Sequence, residues 1–298
     1  MRYRYEKTEY REHAVELLRG GYDLHTHTMP SAFPRALDDF DLVREADSLN
    51  MAGVMIKAHY GDTAPRAALV NLKSKCNARA YGGLVLNQPA GGLNPYAVEN
   101  SLKMGGVIVW MPTRDSKHCL EYGDMPGDFF ARPGISVCDK DRKLVKEVYE
   151  IFDIVKKYGA YLATGHLSPA ESVLLCKTGR AEGVNMILTH PEWRRTVIPG
   201  KIQKDLANLG VLIEKNWLNI IEEDISVSRM TANIRTVGTE HVYLATDRGQ
   251  AGAEHPVEGM IRFIELLLWE GFTDRELISM VCTVPSAIVK REPCGGLL

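Results

Sequence analysis

The sequence lacks several features that would assign it to a specialised class of protein. Its 36 basic and 38 acidic residues leave a formal net charge of -2, so there is no basic surplus to hold a phosphate backbone and nucleic acid is not an expected partner. No apolar run reaches the length of a membrane-spanning helix, and the charged amino terminus has no apolar stretch of a secretory signal behind it. We therefore expect a cytoplasmic protein that acts on a small molecule.

The six cysteines also lack any grouping that indicates a function. No two of them have the C-x-x-C spacing, so without an export signal we expect free thiols rather than disulfide bonds or zinc ligands. No internal repeat or linker is visible, and the 45% hydrophobic content suits a large core. We expect one domain over residues 1–298, with an amino-terminal helix within 1–20 and a carboxyl-terminal helix and tail within 273–298.

What the chain does contain is a regular alternation of apolar strands and helices. The pattern S-P-A-E at Ser168 to Glu171, for example, predicts a helix that begins with a capping box. Eight strand–helix repeats predict a parallel sheet closed into an α/β (β/α)8 TIM barrel. An open doubly wound sheet would have a glycine-rich turn after the first strand, where H-T-H-T-M-P stands instead. The predicted strands cover residues 22–29, 52–60, 78–87, 105–113, 160–168, 185–192, 210–217 and 241–249.

Two histidines lie one step apart in the first of these strands, Y-D-L-H-T-H-T-M. Side chains of a strand alternate between its faces, so His25 and His27 project to the same side and can bind one metal ion from a rigid platform. The simpler interpretation is that both are ordinary polar residues at a strand end. The pair alone does not exclude it.

Further polar residues stand where the other predicted strands end. His166 ends the fifth strand, His190 the sixth and Asp247 the eighth. Each has an ordinary explanation by itself, such as a helix cap or a turn residue. Because the carboxyl ends of parallel strands meet at one mouth of a barrel, we expect these side chains to form a metal site there. The polar residues expected at that mouth are His25, His27, Lys57, His59, Asn87, His166, His190 and Asp247.

This pattern resembles the amidohydrolase superfamily of metal-dependent hydrolases, which place His-x-His on strand one, histidines on strands five and six, and an aspartate on strand eight. The motifs D-L-H-T-H-T, A-T-G-H, L-T-H-P and A-T-D-R-G carry the resemblance over residues 22–249. DLHTHTMPSAFPR, GGLNPYAVE and VWMPT resemble an uncharacterised cytosolic branch. The resemblance implies that Asp247 and His190 are catalytic, and that the metal ligands are His25, His27, His166, His190 and Asp247.

The sequence departs from that family at strand four. Many members bridge two metals with a carboxylated lysine or a glutamate from this strand, which here ends V-W-M-P-T. We expect one tightly held ion with weak occupancy of a second, and a salt bridge between Lys57 and Asp247; a carboxylated Lys57 that bridges two metals is the alternative. Imidazoles and a carboxylate suit Zn2+, and Mn2+, Fe2+ or Ni2+ are compatible with them.

These residues predict hydrolysis of a C–N or C–O bond in an amide, cyclic amide, ester or lactone. A bound Zn2+ lowers the pKa of its water from about 15.7 to about 7, Asp247 is the expected base for that water, and the metal with His190 polarises the scissile carbonyl. The loop 114–138 is long enough to act as a lid or as a contact within a homo-oligomer. Substrate contacts are expected from Arg35, Lys57, His59 and Arg248.

Two other functions stay open. A phosphoesterase of the polymerase-and-histidinol-phosphatase type also begins with His-x-His, but such proteins usually carry a late Asp-x-His, whereas Asp247 is followed here by Arg248 and Gly249. A non-catalytic barrel that binds a metal or a small molecule is the other alternative. Asp247 argues against it, because a purely structural zinc site needs no base.

Overall fold

A computed structural model describes residues 9–123 and 131–290 of the chain. The strands in these residues are short and pair in parallel with their neighbours. They are β1 (Tyr22–Thr26), β2 (Gly53–Ile56), β3 (Arg79–Tyr81), β4 (Gly83–Val85), β5 (Ile108–Trp110), β6 (Tyr161–Ala163), β7 (Asn185–Leu188), β8 (Leu212–Asn216) and β9 (Val242–Ala245).

Helices follow the strands in alternation, as the sequence predicts. The capping box at Ser168 is confirmed: the Ser168 hydroxyl accepts from the Glu171 backbone N–H, and the Glu171 carboxylate accepts from the Ser168 backbone N–H. The helices are α1 (Arg11–Leu17), α2 (Asp39–Ser48), α3 (Ala64–Lys73), α4 (Pro95–Lys103), α5 (Lys117–Tyr122), α6 (Lys146–Lys157), α7 (Pro169–Ala181), α8 (Gly200–Ala207), α9 (Trp217–Ile221), α10 (Val227–Val237), α11 (Pro256–Trp269), α12 (Asp274–Ile278) and α13 (Val284–Val289).

The strands form a sheet of three, β1-β2-β3, and a sheet of six, β4 to β9, in chain order. β3 and β4 are two parts of the single strand predicted over 78–87, and Gly82 separates them. A Cβ at Gly82 would lie 2.2 Å from the carbonyl oxygen of Thr63, so only glycine permits this approach of the two backbones. At the other end of the order, a parallel bridge joins Thr26, the last residue of β1, to Arg248 beyond β9. The predicted α/β TIM-barrel fold class is confirmed, with its strand ladder interrupted at these two places.

Alternation along the strands divides the core into two layers. In β9, Val242 and Leu244 pack in the larger cluster between strands and helices, whereas Tyr243 and Ala245 belong to a smaller cluster inside the ring of strands. Val284 of α13 joins that inner cluster with residues at the amino ends of the strands. Buried polar side chains, among them His25, His27 and Lys57, lie instead at or just beyond the carboxyl ends of the strands.

The region between β5 and β6 differs from its prediction. Residues 114–138 contain the short helix α5, and α6 begins at Lys146 rather than near residue 139. The reason is a turn at Asp139, whose carboxylate accepts hydrogen bonds from the backbone N–H groups of Asp141 and Lys143. Residues 124–130 of the predicted lid or contact loop lie outside the described residues. Within residues 9–123 and 131–290, none of the helices is long and apolar enough to cross a bilayer.

Candidate metal centre

Three side chains from the two ends of the chain converge at the carboxyl ends of β1 and β9. Oδ1 of Asp247 lies 3.2 Å from Nε2 of His25 and 3.0 Å from Nε2 of His27. The ligand atoms of these three residues all lie within 4.8 Å of one another. Both histidines are buried, so the three groups face each other with little competition from water.

The backbone at this point is held in an unusual conformation. Asp247 has a φ of 54° and His190 a φ of 24°, values that few residues other than glycine adopt. The strain at Asp247 is supported by the neighbouring strand, because its N–H donates to the carbonyl oxygen of His25 at 2.8 Å. The N–H of His27 in turn donates to the carbonyl oxygen of Arg248 at 2.8 Å. Backbone strain of this kind concentrates at functional sites.

A second ring of contacts orients the two imidazoles. Nδ1 of His25 lies 3.0 Å from Oε1 of Glu214, and Nδ1 of His27 lies 2.9 Å from the carbonyl oxygen of Lys57. Both partners are acceptors, so Nδ1 of each ring carries a proton and Nε2 of each ring faces Asp247. Glu214 also accepts from the Tyr243 hydroxyl at 2.6 Å.

His166 and His190 lie beside this group without joining it. Their ring centroids are 4.9 Å apart, and the ring of His190 stacks on that of His25 at 5.8 Å. Nδ1 of His166 lies 3.9 Å from Sγ of Cys119. Nδ1 of His190 is buried and has no hydrogen-bond partner among the described residues. This nitrogen is therefore available to a ligand bound at the centre.

The charges at the centre favour a cation between these groups. Burial would lower the pKa of His25, but Asp247 and Glu214 outweigh it and raise the pKa to about 9. Burial would raise the pKa of Asp247, yet His25 and His27 hold it well below its usual range. Burial, followed by the charge of Arg35, lowers the pKa of His27 to about 3. One positive charge is thus accommodated at His25 while the adjacent imidazole stays neutral.

Lys57 does not occupy the position that the sequence predicts. In the part of the chain that the structure describes, Lys57 has no ion pair with Asp247 within 4.0 Å, which corrects the expected salt bridge. Its Nζ lies instead 2.9 Å from Nε2 of His25 and 5.5 Å from the centre of the Trp110 ring. Burial lowers the pKa of the Lys57 ammonium. The side chain is almost fully buried, with its ammonium next to one of the proposed metal ligands.

His59, another predicted substrate contact, is tied to its surroundings. Its Nδ1 lies 2.9 Å from the Thr113 hydroxyl, and its ring stacks on that of His27 at 5.1 Å. Asn87 donates to the same hydroxyl at 2.7 Å and to the carbonyl oxygen of His59 at 2.9 Å. These contacts make His59 one wall of the centre.

Arg35 and Arg248, the two arginines predicted to contact the substrate, differ in their surroundings. Arg248 has a carboxylate beside it, since its Nε lies 3.2 Å from Oε1 of Glu254. Arg35 has no carboxylate oxygen within 4.0 Å among residues 9–123 and 131–290, and its buried Nε has no hydrogen-bond acceptor there. The Nε of Arg248 also has no hydrogen bond among the described residues, so what distinguishes Arg35 is that no carboxylate oxygen lies within ion-pair distance of it there.

Sequence reasoning missed Glu214. It lies in the middle of β8, inside the barrel, where it contacts His25 and accepts from the backbone N–H of His190 at 3.3 Å. The available signal was a charged residue that follows the apolar run Val211 to Ile213, with Lys215 next to it on the opposite face of the strand.

The comparisons with known proteins agree with this fold. A family model described as "Family of unknown function (DUF6282)" matches residues 20–214, more than half of the chain. A comparison with curated protein sequences finds no significant match.

Solved structures with the same fold include enzymes of different reaction types. An amidohydrolase from Pseudomonas aeruginosa is 12% identical with a TM-score of 0.63, covering 93% of this chain and 98% of its own. An organophosphorus hydrolase from Deinococcus radiodurans is 10% identical with a TM-score of 0.58, covering 92% and 94%. A 2,6-dihydroxybenzoate decarboxylase from Rhizobium is 11% identical with a TM-score of 0.56, covering 91% and 98%. The resemblance to the amidohydrolase superfamily is confirmed at the level of the fold.

Proposed function

The chain belongs to the DUF6282 family of unknown function, and on that premise we propose that it is a metal-dependent hydrolase of small molecules. The bond cleaved is a C–N or C–O bond of an amide, cyclic amide, ester or lactone. The observation that carries the proposal is the convergence of His25, His27 and Asp247, whose ligand atoms lie within 4.8 Å of one another.

The groups at the centre suit a divalent ion. Two imidazole nitrogens and a carboxylate oxygen are the donor set that Zn2+ prefers, and Mn2+, Fe2+ or Ni2+ bind similar sets. The charge distribution supports the same assignment, because the carboxylates that favour a proton on His25 also favour a metal cation there. His25, His27 and Asp247 would hold one ion, with His166 and His190 as the further predicted ligands. The ion supplies Lewis acidity and makes a bound water more acidic.

Asp247 is the proposed general base. Its depressed pKa keeps the carboxylate ionised at neutral pH, and it lies within hydrogen-bond distance of His25 and His27. It would accept a proton from the attacking water and return it to the leaving group. The backbone of Asp247, with a φ of 54°, is held by the hydrogen bond from its N–H to the carbonyl oxygen of His25, beside the two histidines that its carboxylate contacts.

His190 is the proposed donor to the scissile carbonyl. Burial holds its pKa down to about 4, so the imidazole is neutral at pH 7 and carries one N–H. The unpartnered Nδ1 leaves that ring free to bind a substrate oxygen. A neutral donor placed in a buried site stabilises developing negative charge without first giving up a hydrogen bond.

The fold alone does not choose the reaction, since proteins with this fold include hydrolases and a decarboxylase. The test is a screen of zinc-reconstituted protein on amides, lactones, esters, phosphate esters and aromatic acids, with Asp247→Asn as the matched variant. We expect turnover of an amide, ester or lactone that falls at least about a hundredfold in Asp247→Asn.

Other outcomes replace the proposal. Turnover of p-nitrophenyl phosphate alone would indicate the phosphoesterase, and release of CO2 from an aromatic acid would indicate decarboxylation. Zero turnover of every substrate, with zinc bound, would indicate the non-catalytic binding barrel.

A further inference from the structure

The segment that follows β1 lies against the loop that carries Asp247. The backbone of Arg35 forms an antiparallel bridge with Gln250, and the N–H of Ala36 donates to the carbonyl oxygen of Gly249 at 3.0 Å. These contacts fix the backbone of Arg35 beside this loop, and its guanidinium charge acts on both His27 and Asp247. Its position is therefore set by the same loop that positions the proposed base.

The carboxylates near Arg35 in the sequence are engaged elsewhere. Asp38 accepts from the backbone N–H of Asp41 and caps α2, and Asp39 pairs with Arg66 at 2.6 Å. The buried Nε of Arg35 has no hydrogen-bond partner among the described residues, and Asp247 is the carboxylate whose charge favours the protonated guanidinium. A buried donor without an acceptor costs free energy that a ligand with a suitable acceptor can recover.

An aromatic ring connects Arg35 with the centre. The Cζ of Arg35 lies 5.6 Å from the centre of the Phe33 ring, and the Cζ of Arg114 lies 4.4 Å from it. The centroids of the Phe33 and His59 rings lie 6.2 Å apart in an edge-to-face arrangement, and the ring of His59 stacks on that of His27. A ligand at Arg35 would thus have the apolar ring of Phe33 beside it. The rings of Phe33 and His59 connect this position with His27, one of the proposed metal ligands.

We propose that Arg35 binds the carboxylate of an anionic substrate, while Phe33 packs against the hydrocarbon part of that molecule. A planar guanidinium donates two parallel hydrogen bonds to a carboxylate, a geometry that an ammonium cannot provide. The guanidinium of Arg114 places a second positive charge against the Phe33 ring. The term substrate rests on the proposed function, whereas the binding of an organic anion at Arg35 does not.

The experiment measures binding of acetate, benzoate and phthalate to zinc-reconstituted protein by titration calorimetry, with acetamide and benzamide as neutral counterparts. At least one acid is expected to bind, and Arg35→Gln is expected to weaken it about tenfold or more. Arg35→Lys keeps the charge and should recover part of the affinity. Arg44→Gln, which removes an exposed arginine paired with Asp41, should leave the dissociation constant unchanged. Zinc content and thermal unfolding of each variant verify that it is folded and loaded.

Two results would overturn the subsite: no binding by any of the three acids, or the same dissociation constant in wild type and Arg35→Gln. Failure of the two proposals can be told apart. Arg35-dependent binding without turnover of any substrate would refute the hydrolase and keep the subsite. Turnover of neutral and acidic substrates with a kcat/KM that Arg35→Gln does not change would refute the subsite and keep the hydrolase.

Discussion

The carboxylate of Glu214 accepts a hydrogen bond from Nδ1 of His25 at 3.0 Å, although 189 positions separate the two residues. The contact crosses the inside of the barrel from β8 to β1 and fixes which nitrogen of His25 faces Asp247. The hydroxyl of Tyr243 holds Glu214 from its other oxygen. Metal ligands are commonly oriented by a partner of this kind.

Glu214→Gln should therefore lower zinc affinity by about 10- to 100-fold, because a glutamine can also present its NH2 to Nδ1 and favour the wrong tautomer of His25. Competition with a chelator of known affinity measures the change. Glu121→Gln on exposed α5 is the matched control and should bind zinc as the wild type does. An affinity within twofold of wild type in Glu214→Gln would contradict the role given to this contact.

The double replacement His25→Ala with His27→Ala should reduce bound metal below one equivalent per chain, because only one of the three converging ligands would remain. Elemental analysis after desalting measures it. His241→Ala, which alters a partly exposed histidine away from the centre, serves as the control. Unchanged metal content in the double variant would refute the metal site.

The sequence predicted the convergence at the centre because a strand alternates its side chains and a barrel brings all strand ends to one mouth. That argument needs no contact information, and it places His25, His27 and Asp247 correctly relative to one another. It could not predict that Lys57 would contact His25 rather than Asp247. Strand register brings both candidate partners to the same mouth, and the choice between them depends on the side-chain rotamers. The turn at Asp139, which delays α6, likewise depends on a local side-chain contact.

A second unpredicted feature lies outside the barrel interior, where Lys215 of β8 forms a fully buried ion pair with Glu192. Gln203 and Asn233 complete its hydrogen bonds. Lys215→Met should lower the free energy of unfolding by about 3 to 5 kcal/mol, because it leaves the Glu192 charge buried without its partner. Urea unfolding measures the loss. The double variant Lys215→Met with Glu192→Gln should recover part of it, and a double variant as unstable as the sum of the two single changes would contradict this account.

The ion pair between Arg11 of α1 and Glu258 of α11, at 2.6 Å, gives a pH-dependent contribution to stability. The hydrogen bond from Arg11 lowers the pKa of Glu258 below its ordinary value of 4.5. A depressed carboxylate pKa stabilises the fold above the unfolded value, and this stabilisation is lost as the pH falls through the folded value. Arg11→Gln should cost about 1 kcal/mol at pH 7, and its difference from wild type should shrink as the pH drops below 4.5. Urea unfolding across that range measures it, and a difference that does not change with pH would contradict the assignment.

Substitution of Gly249 tests whether the loop after β9 must approach β1 for the centre to form. Its φ is 127°, and a Cβ there would lie 1.8 Å from the carbonyl oxygen of His27. Gly252, three residues later, also has a positive φ of 78°, but a Cβ there would meet nothing within 4 Å. Both alanine variants therefore share the cost of backbone strain, about 1 kcal/mol or more, and only one of them adds a collision.

Gly252→Ala should lose that modest stability and keep the zinc affinity of the wild type. Gly249→Ala should lose several times as much, because the loop must withdraw from β1 and carry Asp247 away from the Nε2 atoms of His25 and His27. Thermal unfolding and chelator competition on the two variants separate the effects. Equal zinc affinity in the two variants would mean that Asp247 keeps its place without the close approach at Gly249, and the backbone account of the centre would then be wrong.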